Sequence, residues 1–280
     1  MAISEITPSA VKLDKLVSRV ADGDIKIPAF QRHFVWNQGQ IIELLDSLYQ
    51  DYPIGSILLW NSAEKLKATR NVCGFAIPDK AESYPVNYVL DGQQRLSTIY
   101  AVFCTDRTQS KDEAGAAALD LFEIFFDPET HAFLGSEELS GTGREFPLKS
   151  LFAIKEFVAE FKKIPEKYQD LITQLHEKFN NYEVPVVTIT KRSKTEVGII
   201  FERINSTGTK LTTLDLMVAW TWSEDFHLQD EIDELLEVLE GKGFGDIPEK
   251  TILQCLRVRL KKEIGGVLAE SDGQINAQNT

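Results

Sequence analysis

Apolar positions along the chain follow two periods, and the changes between them mark the elements. After Pro8 and Ser9, the residues Val11, Leu13, Leu16, Val17 and Val20 recur at helical spacing, which predicts a first helix stopped by Gly23. Ile25–Pro28 reads as extended, because Pro28 keeps Ile27 out of helical backbone. Ile41, Leu44, Leu45, Leu48 and Tyr52 give a second helical stripe before Pro53 and Gly55, and Ser56–Trp60 then reads as a buried strand. Val86–Asp91 is a further strand. Gly92 is the turn, and Leu96, Ile99, Tyr100 and Phe103 predict a helix starting almost at that glycine.

Thr105–Ala118 is poor in bulky residues and reads as a loop, Leu119–Asp127 as a strand, and the segment through Gly143 as turns. Leu151–Tyr182 is helical in pattern with a break at Pro165. Tyr182–Thr190 reads as a strand that Pro185 confines to a sheet edge. Val197, Ile200, Phe201 and Ile204 stripe another helix closed by Asn205 and Gly208, and Thr212–Asp215 matches a capping box opening a helix through Trp222. Ile232, Leu235, Leu236 and Leu239 stripe a later helix, and Leu253, Leu256 and Leu260 a final one. Beyond Glu263 periodicity is lost, so a disordered tail over 264–280 is expected. The sum is an α+β fold: a small mixed sheet in the first 190 residues surrounded by helices, with a helical C-terminal extension over 223–263.

Composition narrows the classes. No apolar run approaches the length of a membrane span, and the start MAISEITPSAVKLDKL has neither a basic region nor an apolar one, so no membrane and a cytoplasmic location are expected. Cys73, Cys104 and Cys255 are scattered and odd in number, against a disulfide framework or zinc site. The formal net charge of −13 argues against a broad grip on duplex DNA, where phosphate neutralisation supplies the affinity. Eight Asp or Glu and no Lys or Arg lie between Glu224 and Glu240, a solvated face or partner surface.

Three stretches can carry chemistry. Leu90-Asp91-Gly92-Gln93-Gln94-Arg95 sits between strand and helix. There a helix N-terminus presents backbone N–H groups and a positive dipole end, and the glycine admits a phosphate close to the backbone. Arg95 can add a charge-assisted contact, Asp91 can hold Mg²⁺, and Gln93 or Gln94 can position a water. The plainer alternative is a turn with glutamines capping a helix. Ile27-Pro28-Ala29-Phe30-Gln31-Arg32, with Trp36 beyond, can stack on and read a base, or can plug the core with its aromatics. Phe201–Gly208 offers a polar Asn205-Ser206-Thr207 edge to a ligand, or simply a helix cap. His33, His131, His176 and His227 are isolated, and no GxxxxGK[ST], HExxH or GxSxG pattern is present.

In that order IPAFQR with Trp36, YPIGSILLW, YVLDGQQRLSTI and FERINSTGTKLTTLDL resemble the N-terminal domain family of GmrSD-type restriction endonucleases, over about residues 10–222. The resemblance implies a ParB/sulfiredoxin-like superfold and binding and hydrolysis of a nucleoside triphosphate (NTP) with Mg²⁺ around Asp91, Gly92, Gln93, Gln94 and Arg95. It further implies roles for Phe30, Gln31 and Arg32 beside the same pocket and for Asn205 and Gly208 as pocket wall. Modified DNA, a separate nuclease subunit and a homo-oligomer are the implied partners. Ser97 stands where the family commonly has Thr. Gln93 stands where sulfiredoxins carry a reactive Cys, which removes sulfinic-acid reduction. No His-Asn-His arrangement of a nuclease domain remains, so the expected activity is an NTPase without its own nuclease centre. A non-hydrolysing nucleotide-gated DNA-binding switch and a protein-binding adaptor are the competing expectations.

Overall fold

The computed structural model describes residues 6–28, 31, 34–64, 71–73, 75–76, 85–104, 108–109, 120–205, 228–244, 247 and 251–252. In chain order these form β1 (Ile6–Lys12), α1 (Leu13–Ala21), β2 (Ile25–Lys26), α2 (Gln38–Tyr49), β3 (Ile57–Ser62), β4 (Asn71–Val72), β5 (Phe75–Ala76), β6 (Val86–Asp91), α3 (Gln93–Phe103) and β7 (Thr108–Gln109). There follow β8 (Ile124–Asp127), β9 (Ala132–Gly135), β10 (Phe146–Pro147), α4 (Ile154–Phe161), α5 (Glu166–Asn181), β11 (Glu183–Ile189), α6 (Lys194–Asn205) and α7 (Leu228–Glu240).

The architecture is mixed α/β around a mixed five-stranded sheet of order β1-β11-β3-β6-β2. β11 runs parallel to β3 and β2 parallel to β6, while β1 pairs with β11 and β3 with β6 antiparallel. Strand side chains alternate between faces, and both faces are apolar. On one face Ile57, Leu59, Val89, Val184 and Val186 join the inward stripes of α1, α2, α3 and α5. On the other, Trp60, Tyr88, Leu90 and Ile189 meet Val197 and Phe201 of α6, Ile232 of α7 and Ile252. This two-sided burial explains why β3 and β6 read as continuous apolar runs. From Leu96 to Phe103 every residue of α3 is buried, so the helix that starts at the Asp91-Gly92 turn is held rigidly in the core.

Four expectations need correction. Residues 6–12 form a strand, and α1 begins only at Leu13; five of the seven β1 residues are exposed, so ladder bonds to β11 hold a segment with no inward stripe to read. β11 is interior rather than an edge. Pro185 fits because the ladder with β3 begins at Val186, leaving the proline flanked by β1 alone, paired with Ala10. The strand expected over Leu119–Asp127 is confined to Ile124–Asp127, and the expected turns through Gly143 include β9, its hairpin partner. Thr108–Gln109 is a short strand inside the expected loop. The helices expected over 212–222 and 253–262, and the tail, lie outside the described residues.

A partly buried ion pair ties the end of β8 to the segment entering β10. Asp127 accepts Arg144 Nε at 2.8 Å and Nη2 at 2.9 Å, with further bonds from Glu129 N–H and Thr130 Oγ1. Burial by itself would raise the Asp127 carboxyl, but these donors outweigh it and hold the group below its ordinary value.

Candidate anion-binding turn

The site is built where three chain segments meet at the end of β6. Opposite β3 the register shifts, Leu59 pairing with Val89 and Leu58 with Asp91, so Leu90 is an extra residue in the ladder. Such a bulge bends the strand and re-aims the residues beyond it. Gly92 then caps α3 with φ +82°, a conformation costly for any residue with a Cβ. It is also crowded by β3: an added Cβ would lie 3.2 Å from Ser56 O and 3.3 Å from Ile57 Cα. The first helical bond, Leu96 N–H to Gly92 O at 2.9 Å, fixes the dipole's positive end at this turn.

Arg95 lies across the turn. Its Nη2 donates to Ser56 O at 2.8 Å and stands 3.5 Å from Asp91 Oδ2. The two side chains are 26% and 41% exposed, so solvent reaches both. Arg95 Nε, by contrast, is buried and has no hydrogen-bond acceptor among the described residues. Gly55, at φ +82°, flanks the guanidinium. A Cβ there would stand 3.6 to 3.7 Å from Cζ, Nη1 and Nη2, against the face of the group. Gly55 and Ser56 were given no role by the sequence, although the Pro-x-Gly lead into a strand was visible. The 52–56 segment is itself pinned by α5's C-terminal end, with Tyr182 Oη donating to Tyr52 O at 2.7 Å.

The remaining expected site residues divide. Gln31 Nε2 donates to Val89 O and Leu90 O, each at 3.1 Å, using carbonyls at the bulge. Gln94 is buried, and its Oε1 accepts from Val35 N–H at 3.0 Å. These bonds fasten both ends of the 31–35 segment to the strand–turn–helix unit, and the Asn37–Gln40 capping box then starts α2. Trp36 is half-buried against the core beside Phe34, the plugging alternative rather than an open stacking platform. Gln93 is half-buried on the first turn of α3. Phe30, Arg32 and Gly208 lie outside the described residues. Asn205 is the last residue of α6, and its side chain is likewise outside them. Ser97 is buried beside Cys73, whose thiol is pushed well up by burial, only partly offset by the Ser97 hydrogen bond.

A glycine turn, a helix N-terminus, a partly exposed guanidinium and an adjacent carboxylate can together hold a phosphate and its counter-cation. Among the described residues no group of three or more His, Cys, Asp or Glu could hold a metal on its own. No helix among the described residues is long and apolar enough to cross a membrane.

An uncharacterised protein of Methanocaldococcus jannaschii is 29% identical over 243 residues, covering 77% of this chain and 42% of that protein, so the chain spans less than half the length of its relative. The family model described as GmrSD restriction endonuclease, N-terminal domain, matches residues 13–222, which includes the β6–α3 turn and every expected site residue. The chain belongs to the GmrSD restriction endonuclease N-terminal domain family.

Proposed function

We propose that this chain is the NTP-binding and NTP-hydrolysing module of a modification-dependent restriction system, with the β6–α3 turn as its phosphate site. The observation that carries the proposal is Arg95: a partly exposed guanidinium at a helix N-terminus, beside two glycines, with a buried Nε that has no acceptor among the described residues. A phosphate beside this turn would meet the dipole, backbone donors and a planar cation together. Gln93, half-buried on the same turn, is the group proposed to orient an attacking water. Asp91 is the carboxylate that would hold Mg²⁺, which supplies neutralisation of the charge on the phosphates. The strand–bulge–turn–helix unit in a mixed sheet also supports the ParB/sulfiredoxin-like reading of the fold. Modified DNA and a nuclease subunit are the proposed partners through family membership.

One observation favours a second reading, a nucleotide-gated switch that binds without hydrolysis. Gln94 Oε1 is engaged by Val35 N–H, which makes this glutamine a fastening for the 31–35 segment instead of a water-positioning group. Release of inorganic phosphate, measured with ATP, GTP, CTP and UTP in Mg²⁺, separates the two. Release with at least one NTP that is lost in Arg95→Ala supports hydrolysis. Saturable binding with no release supports the switch, and neither binding nor release with any NTP rejects the phosphate site.

A further inference from the structure

Two helices, on opposite sides of the sheet, each leave an apolar edge open. α4 carries Ile154, Phe157, Val158 and Phe161 at helical spacing, yet none of its residues is buried. Phe157 packs on Phe146 at 5.4 Å between ring centroids and on His176 at 4.9 Å, and Phe161 stacks on Phe157, so both rings turn toward the first core cluster. Ile154 and Val158, one turn apart, remain 82% and 44% exposed. Lys155 and Lys162, both exposed, flank Val158 one turn before it and one turn after it. Glu156 and Glu160 project to the other side of the helix, where Glu160 pairs with Lys163. α7 is the counterpart. Its Ile232 is buried in the second cluster with Leu236 against it, while Leu235 and Val238 are 42% and 54% exposed. Glu231 and Glu234, both exposed, lie one turn before them, and α7 holds no Lys or Arg.

We infer that the lysine-flanked apolar edge of α4 docks on the glutamate-flanked apolar edge of α7 in a second copy of this chain. Charge selects this pairing. A two-fold contact of α4 with α4 would set Lys155 and Lys162 against lysines, and one of α7 with α7 would set glutamates against glutamates, both repulsive. α4 with α7 brings opposite charges to the margins of an apolar seam, the arrangement that sets partner and orientation between helices. The two edges do not meet within one chain, because α4 packs on the cluster at one face of the sheet and α7 on the cluster at the other. The contact is therefore heterologous: each copy uses α4 toward one neighbour and α7 toward the next, and repetition gives a ring or a filament. It involves neither the Asp91-Gly92 turn nor Arg95, so it stands or falls independently of the phosphate site.

The test is sedimentation velocity of the full chain over a concentration series from about 5 to about 200 µM, with circular dichroism to confirm folding. One variant, Ile154→Glu with Val158→Glu, removes the α4 edge, and another, Leu235→Glu with Val238→Glu, removes the α7 edge. The parent should grow beyond a dimer as concentration rises, with association about 3- to 10-fold weaker at about 500 mM than at about 50 mM NaCl. Each variant alone should stay monomeric. Their equimolar mixture should form a 1:1 dimer and nothing larger, because one intact α4 edge and one intact α7 edge remain between them, and a misfolded variant would not complete it. A parent that is monomeric throughout or stops at a dimer, a variant that assembles as the parent does, or a mixture that stays monomeric would overturn the inference.

Discussion

Two of the aspartate–arginine pairs among the described residues are of opposite character. Asp127 and Arg144 tie the end of β8 to the segment entering β10 with two bonds of 2.8 and 2.9 Å, and the carboxylate accepts two further donors in a buried position. Asp91 and Arg95 meet at 3.5 Å, both partly exposed, with the guanidinium's Nε left without an acceptor among the described residues. The first pair is finished by the fold alone. The second is incomplete, at a helix N-terminus and beside two glycines in left-handed conformation. Residue type does not distinguish the two pairs; completeness of hydrogen bonding does.

The largest effect expected from breaking this contrast is on stability. Asp127→Ala removes the buried acceptor of Arg144, Glu129 N–H and Thr130, leaving Arg144 its Glu129 contact, and should lower the melting temperature by about 5 °C while leaving nucleotide affinity unchanged. Asp91→Asn should move it by less than about 2 °C. Differential scanning calorimetry of the two variants side by side measures both, and equal losses would erase the distinction.

Gln94 offers an intermediate effect. Gln94→Met keeps the side chain's length but removes the acceptor of Val35 N–H. A loss of about 2–4 °C in melting temperature is expected from the loss of this partly buried hydrogen bond. Triphosphate affinity should fall about threefold, because the 31–35 segment is no longer fastened to α3. A stability loss with unchanged affinity would make Gln94 purely structural.

The smallest expected effect is a pH dependence. The Asp127 carboxyl is held below its ordinary value of 3.8, so it binds protons more readily in the unfolded chain than in the folded one. Its stabilisation is therefore fully present above that ordinary range and is lost as pH falls through the depressed native value. The melting-temperature gap between the parent and Asp127→Asn should be constant from about pH 7 to 5 and narrow below 4. A gap that does not change with pH would mean that Asp127 acts through shape rather than charge.

Much of the strand–turn–helix unit was legible in the sequence because its signals are local. Val86–Asp91 is an unbroken β-type run, Gly92 marks the turn, and the helical stripe begins within one turn. The features that escaped depend on distant partners. β1 lies 177 positions from its neighbour, as in the bond from Ser9 Oγ to Val186 O, and its exposed residues leave no apolar period. Gly55 and Ser56 join the site only because β3 lies beside β6, a pairing no short window reveals. Gln94 was legible as a polar residue on the first turn of a helix, but its burial and its bond to Val35, 59 positions away, depend on a distant segment.

The most direct measurement is calorimetric binding of each NTP to the parent and to Arg95→Ala in Mg²⁺, with circular dichroism as the control for folding. Removing a charge-assisted contact of this kind typically costs about 1.5–3 kcal/mol, which corresponds to roughly 10- to 150-fold in affinity. Because Arg95 is partly exposed and its partners are one carbonyl and one long ion pair, the variant should keep the parent's dichroism spectrum. Binding by the parent that weakens by at least about tenfold in a folded Arg95→Ala confirms the phosphate site. Equal binding by parent and variant would contradict it.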